Sequence, residues 1–571
     1  MILTFAGVLT AGALPAAARP SRQPHPTIGA GGSGLLASLP SPPLPAQRPG
    51  LPTLMQDDGA LLFRPVEDVR ATMGQLRGLG VDIVRLTANW AALAPAGDSR
   101  ARPSFDATNP AAYDQDAWRS LDNAVSIANQ VGLGVDIDIG LFAPVWATTD
   151  ASGPRARTNI DAREYAAFAT AIARRYSGSW AVPTPPSPAP APPPVSPEQQ
   201  LLNEIFGTGG QPVAQPPPPP GPLPAVQIFT LWNEPNHDGL FRPQWSARGR
   251  HARALSPGIY RRMVLAAYPA IKAIDPGSRV LIGNTSSIGS YRGVGGVPPL
   301  RFLRELACVD SRFKPLRTQA CAGLAPLPGD GWAHHPYTAN FPPDTRSTPA
   351  TPDNARLADL PRLSATLDRL AAMGRISQGD RDIYLTEFGY ETQSVFGRKA
   401  LSAATQARYL TWAEYLAARV PAVRIFAQFL LRDQPPGKVR LSDNPSRAFG
   451  QWYSGLEYAN GVPKVSLSTF VAGLYAQRQS ARVTMLYGRL RLGSGPHRIL
   501  LQRQLRGGSW SPVATVARGA PQSAGELSVD GRATFVRYTP YVAGAIYRLS
   551  YVNLDGSWAP QLPVGVLPLG R

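Results

Sequence analysis

The 571-residue sequence predicts an α/β fold, a parallel (β/α)8 TIM barrel followed by a small all-β sandwich. Three observations predict it. From about Leu51, short apolar runs alternate with amphipathic stretches, the rhythm of strands joined by helical crossovers. Eight strand segments can be counted in residues 51–478. From residue 479 onward the apolar period falls to two and Gly-rich turns punctuate it.

In order, the predicted barrel strands are Leu51–Met55, Asp82–Thr87, Gly134–Leu141, Val226–Trp232, Arg279–Gly283, Gly331–Ala333, Asp382–Thr386 and Val423–Leu430. Helices are expected at Val66–Leu79, Ala162–Tyr176, Pro257–Ile274, Ala358–Met373, Thr405–Ala418 and Val465–Tyr475, where apolar residues recur at helical spacing. Residues 177–224 interrupt the rhythm with runs of proline. Proline suits neither helix interiors nor central strands, so this segment reads as a surface insertion on the helix-to-strand side of the barrel, its stability face. In residues 479–571, strands are expected at Arg498–Leu505, Trp510–Ala517, Ala533–Tyr538 and Ala545–Asn553, with turns at Gly507-Gly508-Ser509 and Asp555-Gly556-Ser557.

The N-terminus carries its own signals. Residues 1–18 hold an apolar run followed by Pro15-Ala16-Ala17-Ala18, the pattern of a secretory signal peptide, although no Lys or Arg precedes the run. Residues 19–50 are rich in Pro, Gly and Ser and read as a linker. No stretch is long enough for a good membrane span, so the expected location is extracellular. The two cysteines, Cys308 and Cys321, then form an expected disulfide. The net charge of +19 is scattered, mostly on arginines, with no basic run and no nucleic-acid module, so nucleic acid is not an expected partner.

Two strand ends carry the chemistry. The apolar strand Phe229-Thr230-Leu231 ends in Trp232-Asn233-Glu234-Pro235, and Ile383-Tyr384-Leu385 ends in Thr386-Glu387-Phe388-Gly389. Residues just past the C-terminal ends of parallel barrel strands face the mouth. Two strands therefore deliver one carboxyl each to one site, and glycoside hydrolysis needs such a pair. Glu391 is a weaker competitor, lying beyond the glycine in the loop proper.

With these motifs the chain resembles the clan A retaining glycoside hydrolases, a superfamily of cellulases, β-mannanases, β-xylosidases and β-galactosidases. The resemblance covers residues 51–478, and Trp-Asn-Glu-Pro-Asn with Thr-Glu-Phe-Gly is similar to the cellulase-like and β-xylosidase-like branches. It implies that Glu234, at the end of strand four, is the acid/base and that Glu387, at the end of strand seven, is the nucleophile. It also implies that Arg85, on strand two, keeps the nucleophile ionised. In His334-His335-Pro336-Tyr337 it gives His335 and Tyr337 the tasks of orienting the nucleophile and lining the sugar subsite.

Other residues complete the expected site. Asn233 would bind the sugar 2-hydroxyl, and Trp90 and Trp146 are candidate sugar-stacking platforms, with a core role equally open. The adjacent histidines have no third ligand at zinc-like spacing, so neither metal nor organic cofactor is expected. The eighth strand departs from the family, reading Phe426-Ala427-Gln428-Phe429 where a Trp is common. The expected substrate is a β-linked oligo- or polysaccharide, and the C-terminal module is read either as a carbohydrate-binding or wall-attachment module or as a packing element that supports the barrel. A catalytically silent polysaccharide-binding barrel and a transglycosylase stay open as alternatives.

Overall fold

The computed structural model describes residues 47–182, 215–249, 251–323, 325–393, 400–435, 452–517, 520–523, 525–553 and 555–568. The expected signal peptide, nearly all of the linker and the middle of the Pro-rich insertion lie outside the described residues.

Eight parallel strands close into a barrel: Thr53–Gln56, Ile83–Asn89, Gly134–Gly140, Ile228–Leu231, Arg279–Ser286, Gly331–His335, Ile383–Leu385 and Val423–Phe429. The first pairs with the eighth through Thr53↔Phe426 and Gln56↔Phe429, which shuts the cylinder and removes the edges. Each strand lies where its apolar run predicts. Strands five and six run further toward the mouth, to Ser286 and His335, carrying polar side chains there.

The outer helices are Val66–Gly78, Gln115–Gln130, Ala162–Arg175, Ser256–Ile274, Pro299–Leu306, Leu360–Ala372, Ala403–Ala418 and Val465–Val471. Two of these, Gln115–Gln130 and Pro299–Leu306, went unpredicted. The first starts at an Asp114 cap whose side chain accepts the Asp116 N–H, and it buries Trp118, Leu121, Val125 and Ile127. Its buried face also holds Asp122, Asn123 and Ser126, which blur the apolar stripe. Asp122 is matched by Arg175 at 2.5 Å across the helix pair.

Two predicted boundaries shift. The last barrel helix ends at Val471, and the chain enters the β-module at Ala472. At the other end, residues 47–49 form an antiparallel edge strand against Ala533–Phe535 instead of continuing the linker. The module is two antiparallel sheets around a core of Leu486, Ile499, Leu501, Phe535, Tyr547 and Leu549. Strands Ala472–Arg478 and Val483–Leu490, whose apolar runs lack clean alternation, also belong to it.

The insertion also departs from expectation. Its returning end, Gln215–Pro216, accepts hydrogen bonds from Arg119 and Asn123 of helix Gln115–Gln130, and Gln215 donates to the Arg64 carbonyl. This end therefore lies against the N-terminal half of helix Gln115–Gln130 and the residue leading into helix Val66–Gly78, not only at the opposite face. The predicted disulfide joins Cys308 and Cys321, with Cα atoms 5.6 Å apart.

Candidate active site

The mouth is built from short polar extensions of apolar strands. On strand two, Arg85 is wholly buried. Its Nη1 donates to Glu387 Oε1 at 2.7 Å and to the side-chain Oε1 of Gln56, and its Nη2 donates to Asn233 Oδ1 at 3.1 Å. Nη2 also lies 2.9 Å from Asp138, and Nε lies 3.8 Å from Asp136. One guanidinium thus ties together strands one, two, three, four and seven. Burial alone would lower its pKa, but the surrounding carboxylates outweigh burial and keep it protonated.

Strand four presents Glu234 through a tight turn. Trp232 and Glu234 both take left-handed backbone angles, with φ of +59° and +42°, uncommon outside glycine. The Glu234 N–H donates to the Asn284 carbonyl at 3.0 Å, which holds the turn. Trp232 is fully buried, and its indole N–H donates to the Leu240 carbonyl at 3.2 Å. The tryptophan anchors the turn while Asn233 and Glu234 reach the mouth.

Glu387 follows strand seven and is nearly buried, 8% exposed. Besides Arg85 it accepts the Tyr337 hydroxyl at 3.2 Å. Tyr337, which the family resemblance would have line this site, thus contacts Glu387 directly. His335 lies differently: its Nδ1 is 2.9 Å from Glu234 Oε1 and 3.5 Å from Glu387 Oε2, so it serves the first carboxyl more closely than the second. His334 is a packed neighbour, bonded to Thr285 at 2.9 Å and to the Ala355 carbonyl at 2.7 Å. Burial brings both histidines down to about 4, so both are neutral rings. Burial also raises the Glu234 pKa, whereas His237, Arg85 and His334 pull it down.

Ligand atoms of Glu234, His335 and Glu387 all lie within 4.8 Å of one another, an arrangement a metal ion could in principle share. The three have other duties. Arg85 occupies one oxygen of Glu387, and both nitrogens of His335 already have partners. This donor set fits acid–base chemistry better than a resident cation.

Two predicted residues lie elsewhere. Trp90 is fully buried, stacked on Phe168 with ring centroids 5.5 Å apart, and so cannot meet a sugar. The Asn89 side chain caps a single helical turn, Trp90–Leu93, and the indole lies in the core. Trp146 packs edge-on against Trp90 and Phe105, and its indole N–H donates to the Pro95 carbonyl at 3.1 Å. It lines a separate groove with Thr149, Asn159 and Arg163.

Three features escaped the sequence reading. Asp136 and Asp138 are buried beside Arg85, and burial raises them to about 6 and about 7. Their alternation in Val135-Asp136-Ile137-Asp138 was visible, and an inward-facing pair of acids next to a lone strand arginine was the available signal. The side chain of Asn284, near the end of strand five, bonds to five site neighbours. Trp452, from the loop after strand eight, stacks on Tyr337 with centroids 6.4 Å apart and meets Phe429 edge-on. An indole therefore stands beside the eighth strand although the strand itself lacks one.

No family model and no curated protein matches the chain. Solved structures similar to it include a family 39 glycoside hydrolase from the gut symbiont Bacteroides cellulosilyticus WH2, at 14% identity and a TM-score of 0.44, covering 86% of this chain and 81% of that one. A glucosidase from Croceicoccus marinus matches at 13% identity and a TM-score of 0.44, covering 87% of this chain and 98% of that one. A GH5_18 protein from Bifidobacterium longum subsp. infantis matches at 16% identity and a TM-score of 0.40, covering 74% and 77%.

Proposed function

We propose that the chain is a retaining glycoside hydrolase of the clan A type, with Glu387 as nucleophile and Glu234 as acid/base. The observation that carries this reading is the close approach of the two carboxyls, whose ligand atoms lie within 4.8 Å of one another. Retaining enzymes hold their carboxyls about 5–5.5 Å apart, and inverting enzymes leave about 6.5–9.5 Å for a water. The separation supports double displacement.

In the first step a Glu387 oxygen bonds to the anomeric carbon as the glycosidic C–O bond breaks. The Glu234 proton passes to the leaving oxygen. In the second, Glu234 takes a proton from water, whose oxygen displaces Glu387 and restores the carboxylate. Arg85 and Tyr337 each donate to one Glu387 oxygen, fixing the carboxyl in place for attack on the anomeric carbon. Asn233, held by Arg85 at 3.1 Å, is placed to meet the sugar 2-hydroxyl. Trp452, stacked on Tyr337, is the proposed sugar platform in place of Trp90 and Trp146.

The substrate class proposed is a β-linked oligo- or polysaccharide, and the protein is proposed to act outside the cell, in keeping with the signal-like N-terminus and the disulfide. The β-module packs broadly on the barrel, which favours a supporting role over wall attachment.

The test is hydrolysis of a panel of aryl β-glycosides and β-linked polysaccharides by wild type, Glu387→Gln and Glu234→Ala. Loss of activity in Glu387→Gln, with azide rescue of Glu234→Ala on an activated substrate, is the expected result. No turnover on any substrate, with polysaccharide binding retained by both variants, would replace this reading with a silent binding barrel.

A further inference from the structure

Asn284, near the end of strand five, is fully buried and has a left-handed φ of +47°. Its Nδ2 donates to the Trp232 carbonyl at 2.7 Å and lies 3.2 Å from Asn233 Oδ1 and 3.3 Å from Asp138 Oδ1. Its Oδ1 accepts the Thr386 hydroxyl at 3.0 Å and faces His335 Nε2 at 2.8 Å. The Trp232 carbonyl can only accept, so it decides which end of the amide is which. A flipped amide would set two oxygens 2.7 Å apart.

With Oδ1 turned toward the ring, His335 Nε2 must be the donor. Burial disfavours an imidazolium here, so the ring carries one proton, and that proton is on Nε2. Nδ1 then offers a lone pair to Glu234 Oε1 at 2.9 Å, with Glu387 Oε2 at 3.5 Å. Two ionised carboxylates around that lone pair would repel it. A proton on Glu234 Oε1 turns the contact into a hydrogen bond.

We propose that Asn284 is a positioning residue that locks His335 in its Nε2-protonated tautomer, so that the free enzyme stores the catalytic proton on Glu234. The inference rests on the glycosidase reading above. When a glycosidic oxygen enters, the Glu234 O–H bond breaks and the proton moves to that oxygen. The carboxylate left behind faces a lone pair and receives no hydrogen bond from His335, so it stays basic toward water in the second step. The groups that bear on Glu234 are Arg85 from strand two, His334, His335 and Tyr337 from strand six, Glu387 from strand seven and His237 from its own loop. Among them, Nδ1 of His335 is the acceptor whose proton state Asn284 sets.

The test has two parts. Long-range nitrogen–proton NMR of the histidine rings in the wild-type protein at neutral pH, assigned with His335→Gln, should show His335 as the Nε2–H tautomer. In Asn284→Ala that preference should vanish. The same variant should lose ~10²-fold in kcat/KM on substrates with poor leaving groups, the share general acid catalysis supplies. The loss should be about tenfold smaller on activated aryl glycosides, which need little protonation, and the alkaline limb of its pH profile should move to lower pH. A wild-type signal for Nδ1–H or for imidazolium overturns the inference without any assay or variant. A loss in Asn284→Ala that is independent of leaving group also overturns it, because it marks a merely structural role. Failure of wild type on every glycoside, with the Nε2–H signal intact, overturns the glycosidase reading and the acid role built on it, while the tautomer stands as measured.

Discussion

Arg85 shares one guanidinium among Glu387, Asp138 and Asp136, with no exposed surface of its own. Lysine cannot reproduce the fork that binds Glu387 and Asn233 together. Arg85→Lys is therefore expected to lower kcat/KM by about 10²-fold, the scale of an ångström-sized misplacement; steady-state kinetics on an aryl glycoside would check it. Three acids around one cation cannot all ionise cheaply away from water. Asp138 accordingly sits at about 7, raised first by burial. An acid raised in the folded state favours folding most below its unfolded pKa, and that contribution fades as pH climbs through about 7. Asp138→Asn, which cannot titrate, should shrink the fall in stability between pH 5 and pH 8 by on the order of 1–3 kcal/mol. Melting curves at the two pH values would show it, and an unchanged fall would place the titration elsewhere. Glu234, Glu387, Asn233 and Tyr337 were legible in the sequence because each stands just past a strand end in a readable motif, and Arg85 because it is a lone charge inside an apolar strand. Asn284 was not, since Gly283-Asn284-Thr285 after an apolar strand reads as an ordinary turn. Trp452 was hidden in a loop with no periodic pattern to place it.

At the scale of elements, the turn after strand four depends on glycines in its neighbours. A Cβ on Gly140 would lie 2.5 Å from the Trp232 ring, and its φ of +139° is one that L side chains rarely adopt. Gly140→Ala should push Trp232, and with it Asn233 and Glu234, off position. A cost of ~1–3 kcal/mol is expected from overpacking and strain, with a parallel fall in kcat; denaturant melts and kinetics on the same sample would report both. Gly283 makes the same room for Trp332, its added Cβ falling 2.5 Å from that ring. The strands themselves were readable because β-branched and aromatic runs bounded by polar turns have few alternatives at that length. Helix Gln115–Gln130 was missed because its buried face carries Ser126 together with Asp122 and Asn123, whose partners come from other segments.

For the whole molecule, the decisive contact is between helix Ala403–Ala418 and the β-module. Trp412 and Tyr415 from the helix pack on Tyr475, Met485, Tyr487 and Val536 of one sheet. Beside them Glu414 is clasped by Arg489 at 2.8 Å and Arg491 at 2.9 Å, all three nearly buried. Arg491 continues to Thr53 of strand one and Arg489 to the Leu51 carbonyl, so the module grips the barrel where the chain enters it. Burial would raise Glu414, but the two arginines outweigh it and hold the carboxyl below its ordinary range. Glu414→Gln leaves two buried cations without their counter-ion and should cost about 3–5 kcal/mol near neutral pH. Because the folded pKa is depressed, that difference is present above the unfolded value and fades as pH falls through the folded one. The gap in unfolding free energy between variant and wild type should therefore be widest at pH 7 and narrow progressively as acid is added. A small cost at pH 7 would mean the aromatic packing alone secures the interface.

By itself the sequence determined the eight-stranded order, the β-rich tail and the two glutamates, because hydrophobic period and strand-end position are local properties of the chain. Only the tertiary structure decided which groups meet. Arg85 gathers acids from strands three and seven, Asn284 orders a histidine from strand six, and Trp90 turns into the core while Trp452 stands beside Tyr337. The physical reason is that a hydrogen bond or a buried charge takes its energy from its partner and from the water excluded around it. Barrel closure brings those partners together from positions as far apart as Arg85 and Glu387.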